Sequence, residues 1–146
     1  MRAAYRVLAT LVALGVLVQA AAIAYAWFVV INQLDGGEVL TGDSARNLGH
    51  DLHGTVGMMI IPVIALALLV VSFFARIPGG VRLAAIVFGL VVLQVVLAFV
   101  SFGAPVVGAL HGANAIALLG ASIATARRAG ETAPAVADRA TRGASV

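Results

Sequence analysis

The sequence predicts an all-α membrane protein: four transmembrane helices in an up-down bundle, built from two similar hairpins, with both termini cytoplasmic. Three observations predict it. The chain has 146 residues, of which 62% are hydrophobic and only 10% charged, with mean hydropathy +1.10. A soluble domain of this length exposes too much surface to hide so much apolar content. The bilayer is therefore the expected solvent, and four separate runs reach the ~20 apolar residues that a spanning helix needs. Finally, eight of the nine arginines fall on one side of the four runs.

Span one is expected over about residues 5–31. Arg2 and Arg6 precede it, and Trp27 falls near its far end, an interfacial place. Ala24-Tyr25-Ala26 resembles a signal-peptide cleavage site. The apolar run is longer than the ~7–15 residues of a signal peptide, which favours a retained helix. Asp35-Gly36-Gly37 begins the first loop. Asp35, Glu38, Asp43 and Asp51 lie in or next to that loop without ligand spacing and read as a solvated acidic face.

Span two is expected over about residues 52–74, with Pro62 freeing the Met58 carbonyl and kinking the helix. Pro78-Gly79-Gly80 makes the second turn, span three follows over about 81–102, Gly103-Ala104-Pro105 makes the third, and span four covers about 106–126. The tail over 129–146 is polar, rich in small residues and expected to be disordered, leaving 1–128 as the membrane domain.

Arginine placement predicts direction. Arg2, Arg6, Arg76, Arg82, Arg127, Arg128, Arg139 and Arg142 mark the cytoplasmic side, and Arg46 alone lies outside. All nine basic residues are Arg; with the abundant Ala, Val and Gly, this points to a GC-rich bacterial genome and to a bacterial cytoplasmic membrane. The pI near 10.6 does not mean nucleic-acid binding, because the cations flank membrane spans. The absence of cysteine excludes disulfides, zinc-thiolate sites and iron–sulfur clusters.

The hairpins share short motifs. Gly15-Val16-Leu17-Val18-Gln19 parallels Gly89-Leu90-Val91-Val92-Leu93-Gln94 with one residue of slippage, and Leu52-His53-Gly54 parallels Leu110-His111-Gly112. Two hairpins running in the same direction imply a pseudo-two-fold axis along the membrane normal. His53 and His111 then lie at equal depth near the outer face, on helices expected to be diagonal. Two imidazoles reaching across a diagonal of roughly 12–14 Å suit a flat metal macrocycle better than a bare ion.

Other polar and small residues extend this candidate site. Gly57 and Gly112 leave room beside the histidines, or serve close helix packing. Gln19 and Gln94 bond across helices or to a cofactor edge. Asn114 orients its neighbour or bonds a helix carbonyl. Arg46 is placed to meet outward carboxylates, or is a free loop cation. His50, at i and i+3 from His53, is a supporting group, a proton donor, an alternative ligand or a solvated loop residue.

From His50 to Arg128 the chain resembles one half of a bacterial haem A synthase. The resemblance rests on His53, Leu93-Gln94 and Leu110-His111-Gly112. That family has two four-helix halves, each holding haem between histidines at the outer ends of its second and fourth helices. The likeness implies haem b with His53 and His111 as axial ligands. This chain has one four-helix unit, so it lacks the family's second haem site. Where the family's catalytic half has glutamate, three residues before the first ligand, this chain has His50, and the family's outer-loop cysteine pair is absent. Haem A synthesis by the chain alone is not expected. The chain is also similar to small four-helix membrane proteins of actinobacteria. It is less similar to the cytochromes b561, which need ligands near both membrane faces.

The expected function is bis-histidine haem binding near the outer face, serving electron transfer, haem handling or sensing. Two alternatives stay open: a divalent metal site from His50, His53 and His111 with Asp51, and a non-catalytic subunit whose histidines are structural. Expected partners are the lipid bilayer, a quinone or redox protein, and further copies of the chain, but not nucleic acid.

Overall fold

The computed structural model describes residues 1–42 and 44–131. Asp43, Arg139, Arg142 and the predicted tail from residue 132 onward lie outside the described residues. The described residues are helical with no strand. α1 spans Arg2–Asp35. The second span comprises α2 (Leu48–Thr55), a π-helical turn (Val56–Ile60) and α3 (Ile61–Ala75). α4 spans Gly80–Gly103. A short 3₁₀ turn (Pro105–Val107) leads into α5 (Gly108–Glu131). All four spans are long and apolar enough to cross a membrane.

The ends follow local chemistry. α1 closes in a Schellman motif: Glu38 N–H donates to the Gln33 carbonyl and Gly37 N–H to that of Leu34, with Gly37 at φ +83°. α2 begins four residues before the predicted span because Asn47 caps it. The Asn47 side chain accepts from Gly49 N–H and donates to the Ala26 carbonyl, so the cap also ties α2 to α1. Ile77–Gly80 is a hydrogen-bonded type II turn with Pro78 second and Gly79 third, at φ +73°. α5 continues to Glu131, past the predicted end of the membrane domain, with Ala129 buried.

The expected disturbance at Pro62 takes the form of a widened turn. Ile61 N–H reaches back five residues to the Val56 carbonyl. Pro62 offers no N–H, and its ring would crowd the preceding turn. One π turn accommodates both, and Pro62 then sits in the first turn of α3, where no donor is missed.

α1 packs on α3 and α5, and α4 packs on the same two helices. The second and fourth spans therefore face each other across a diagonal. Many of the inward side chains are small, although Tyr5, Leu68, Val12 and Val87 are also fully buried, and several phenylalanines face outward. Ala9, Ala65, Ala84, Ser122 and Thr125 are fully buried, whereas Phe28, Phe73, Phe74, Phe102 and Ile116 are exposed. Close backbone approach and dispersion hold such a bundle, because lipid tails cover large apolar groups as well as protein does. The buried Ser122 and Thr125 hydroxyls donate to carbonyls one turn back. At the arginine-rich end, the fully buried Tyr5 donates to the Gly80 carbonyl at 2.9 Å, pinning the start of α1 to the start of α4.

Buried positions recur along the chain. Tyr5, Ala9, Val12 and Val16 of α1 have buried counterparts 75 residues on, at Gly80, Ala84, Val87 and Val91 of α4. Ile61, Ala65, Leu68 and Ser72 of α3 have theirs 57 residues on, at Leu118, Ser122, Thr125 and Ala129 of α5. His53 and His111 are 58 apart. The one-residue difference falls across the π turn.

Candidate functional site

The four spans enclose a cavity of about 570 Å³ toward the end that carries the first loop. Its wall is apolar except for four side chains: Gln19, His53, Gln94 and His111. Each contributing helix reaches it with one of them. This is the size and chemistry of a cofactor pocket, mostly hydrophobic with a few convergent polar groups.

The histidines are held alike. His53 Nδ1 lies 3.1 Å from the Gln19 carbonyl oxygen, and His111 Nδ1 lies 3.0 Å from the Gln94 carbonyl oxygen. A carbonyl only accepts, so each Nδ1 carries the proton and donates. Each Nε2 is left with a lone pair. A backbone acceptor on Nδ1 is the usual way a ligating imidazole is oriented and its tautomer set.

The rings meet across the diagonal. Their centroids are 6.2 Å apart and their planes are inclined by 60°. The two rings are therefore close enough for His53 and His111 to hold one group between them. Gly54 and Gly112 line the cavity beside the rings, and a methyl group on either would meet nothing within 4 Å. The space beside the two rings and their paired Nδ1 bonds are compatible with a flat group that His53 and His111 would hold.

The two glutamines differ. Gln94 Nε2 donates to His111 Nε2 and to the His111 carbonyl, both at 3.0 Å. Its Oε1 accepts from Asn114 Nδ2, which also reaches the Leu90 carbonyl at 2.9 Å. Asn114 thus orients Gln94, and Gln94 engages His111. Gln19 Nε2 is buried without a partner. Its Oε1 occupies the space beside Gly57, 2.8 Å from where a methyl group would sit.

The small residues divide by role. Gly49 serves helix packing: a methyl group there would lie 2.5 Å from the Ala22 carbonyl oxygen. Gly57 does both jobs, admitting Gln19 and lining the cavity.

His50 and Arg46 stand apart from the cavity. His50 packs edge-on against Trp27, with centroids 5.7 Å apart, and its Nδ1 is buried without a partner. Arg46 Nε pairs with Asp51 Oδ1 on the exposed surface. Among the described residues, no three His, Asp or Glu side chains converge as a metal group. The alternative cluster of His50, Asp51, His53 and His111 is thus not assembled.

Two features were not read from the sequence: the Asn47 cap and the Trp27–His50 contact. Asn two residues before Gly was the available signal for the first. Comparison with protein-family models, with curated proteins and with solved structures finds no match to this chain.

Proposed function

We propose that this chain is a multi-pass protein of a bacterial cytoplasmic membrane that holds a b-type haem between His53 and His111. The observation that carries the reading is the matched pair: two imidazoles across the bundle diagonal, 6.2 Å apart, each with Nδ1 on a glutamine carbonyl. When bound, the haem supplies one-electron chemistry. His53 and His111 would hold it, Gln19 and Gln94 orient them through their carbonyls, and the apolar wall excludes water. Held by two histidines, such a haem would serve electron exchange with a quinone or redox protein, haem handling or sensing rather than oxygen chemistry.

We also read the two hairpins as copies related by a pseudo-two-fold axis. The recurring buried positions and the two His–carbonyl bonds support this. Both termini are assigned to the cytoplasm, because six of the seven described arginines gather at the end where the chain starts. The site then faces outward, and one haem at one face does not by itself bridge ~30 Å of hydrocarbon. The partner accordingly meets the protein on the outer side.

A second reading keeps the histidines structural. The bond from Gln94 to His111 Nε2 favours it, since that ring has partners on both nitrogens. A visible spectrum separates the two. Protein purified from cells supplied with haem is expected to show a Soret band that both His53→Ala and His111→Ala abolish or shift. A folded wild type without the band, or a band that neither substitution changes, leaves the structural reading.

A further inference from the structure

We propose that a second site, at the opposite end of the bundle from the histidines, binds the headgroup of an anionic phospholipid. The start of α4 and the end of α5 enclose an open groove of about 790 Å³. Arg82, Arg127 and Arg128 line it, together with Ile86, Ile123 and Gly120. Among the described residues, no acidic side chain lines it. Arg128 Nε donates to the Pro78 carbonyl at 3.3 Å, which holds that side chain at the rim. Arg82 and Arg127 are exposed.

Flanking arginines set topology in any membrane protein, and basic side chains at the end of α5 complement its dipole. Neither role requires the cations of two helices to share one cavity with an apolar floor. That floor lies in the spans, where acyl chains run, and a methyl group on Gly120 would meet nothing within 4 Å. Arginines of two helices lining one apolar groove match a phosphodiester headgroup on a diacyl tail, through charge-assisted bonds in the interfacial region.

Native mass spectrometry of the whole chain tests this, using dioleoyl phosphatidylglycerol against dioleoyl phosphatidylcholine. The wild type is expected to retain phosphatidylglycerol preferentially. Each neutralised arginine near the surface is worth about fivefold, so R82Q/R127Q is expected to lower the preference by about 25-fold. R82K/R127K is expected to keep most of it. R139Q/R142Q removes the same charge further along the chain and is expected to leave the preference intact. If it lowers the preference as much as R82Q/R127Q, or if R82Q/R127Q changes nothing, the site is refuted. Gly120→Leu fills the groove without touching charge. It is expected to reduce lipid retention severalfold, and it decides the matter if R82Q/R127Q does not fold. Retention unchanged in Gly120→Leu, or displacement of the lipid by inorganic phosphate, also overturns the proposal.

Discussion

The two histidine environments share a backbone and differ in their side chains. In each, an imidazole on one helix of a hairpin donates from Nδ1 to a glutamine carbonyl on the other. Around His111 the glutamine amide is fully engaged, between the imidazole and Asn114. Around His53 the corresponding amide nitrogen is buried and unpaired. The residue three positions after His111 is Asn114, and three after His53 is Val56, the first residue of the π turn. One polar residue on one side, and one extra backbone residue on the other, distinguish two otherwise parallel sites. The lesson is that backbone placement of a histidine pair and the satisfaction of its polar neighbours are separate problems. Only the first is solved the same way twice.

The sharpest way to break the comparison is to replace both glutamines by the apolar residue of nearest shape. Gln94→Leu leaves the second nitrogen of His111 without a partner in an apolar wall and takes from the Asn114 amide one of its two acceptors, the Leu90 carbonyl remaining. It is expected to cost about 3–4 kcal/mol, read by thermal unfolding in detergent. A loss below about 1 kcal/mol would mean that the network around His111 contributes little.

A smaller effect tests how the hairpins close. Gly49→Ala forces a methyl group against the Ala22 carbonyl of α1 and is expected to cost about 1–3 kcal/mol. Gly108→Ala, at the start of α5, would meet only the Ser101 hydroxyl at 3.9 Å and is expected to be close to neutral. Equal effects by chemical denaturation would show that the first hairpin is not the more tightly closed.

The smallest effect is the most discriminating. Gln19→Leu removes a buried donor that has no partner and is expected to change stability by less than about 1 kcal/mol, in either direction. A loss as large as that of Gln94→Leu would show that Gln19 has a partner, such as a bound cofactor edge. Comparing haem-supplied with haem-free protein would identify it.

Much of this arrangement was legible in the sequence. The four spans and their turns follow from apolar run length and from Gly and Pro placement, and the structure keeps all four. The pairing of His53 with His111 followed from motif and depth alone, and their rings do meet. The glutamines were legible as cross-helix polar groups, but not the division of labour between them. Gly15 and Gly89 suggested a hairpin alignment with one residue of slippage, whereas the buried positions align on Gln19 and Gln94 without it. Glycine lies in the lipid-facing and packed faces alike, so it is a poor ruler.

What stayed hidden has a common cause. These helices are apolar all round, so periodicity does not mark the inner face, and small size does so only weakly. Spacing put His50 on nearly the same face as His53 and left its role open, but its side chain turns to Trp27. Arg46 read either as a partner for outward carboxylates or as a free loop cation, but Asp51, five residues on, takes it. Pro62 announced a disturbance in the second span, but not that a π turn would absorb it. A change of register leaves no trace in hydrophobicity when both neighbouring faces are apolar.

That π turn has a further consequence. In a plain helix, one added residue would rotate everything beyond it by about 100°. Here His53 above the turn and Ile61, Ala65, Leu68 and Ser72 below it all face the interior. If the hairpins descend from one duplicated ancestor, a single codon gained or lost there after the duplication is the mark by which the copies can be told apart. In that case the turn that carries His53 would change register against the packed turns beneath without displacing them.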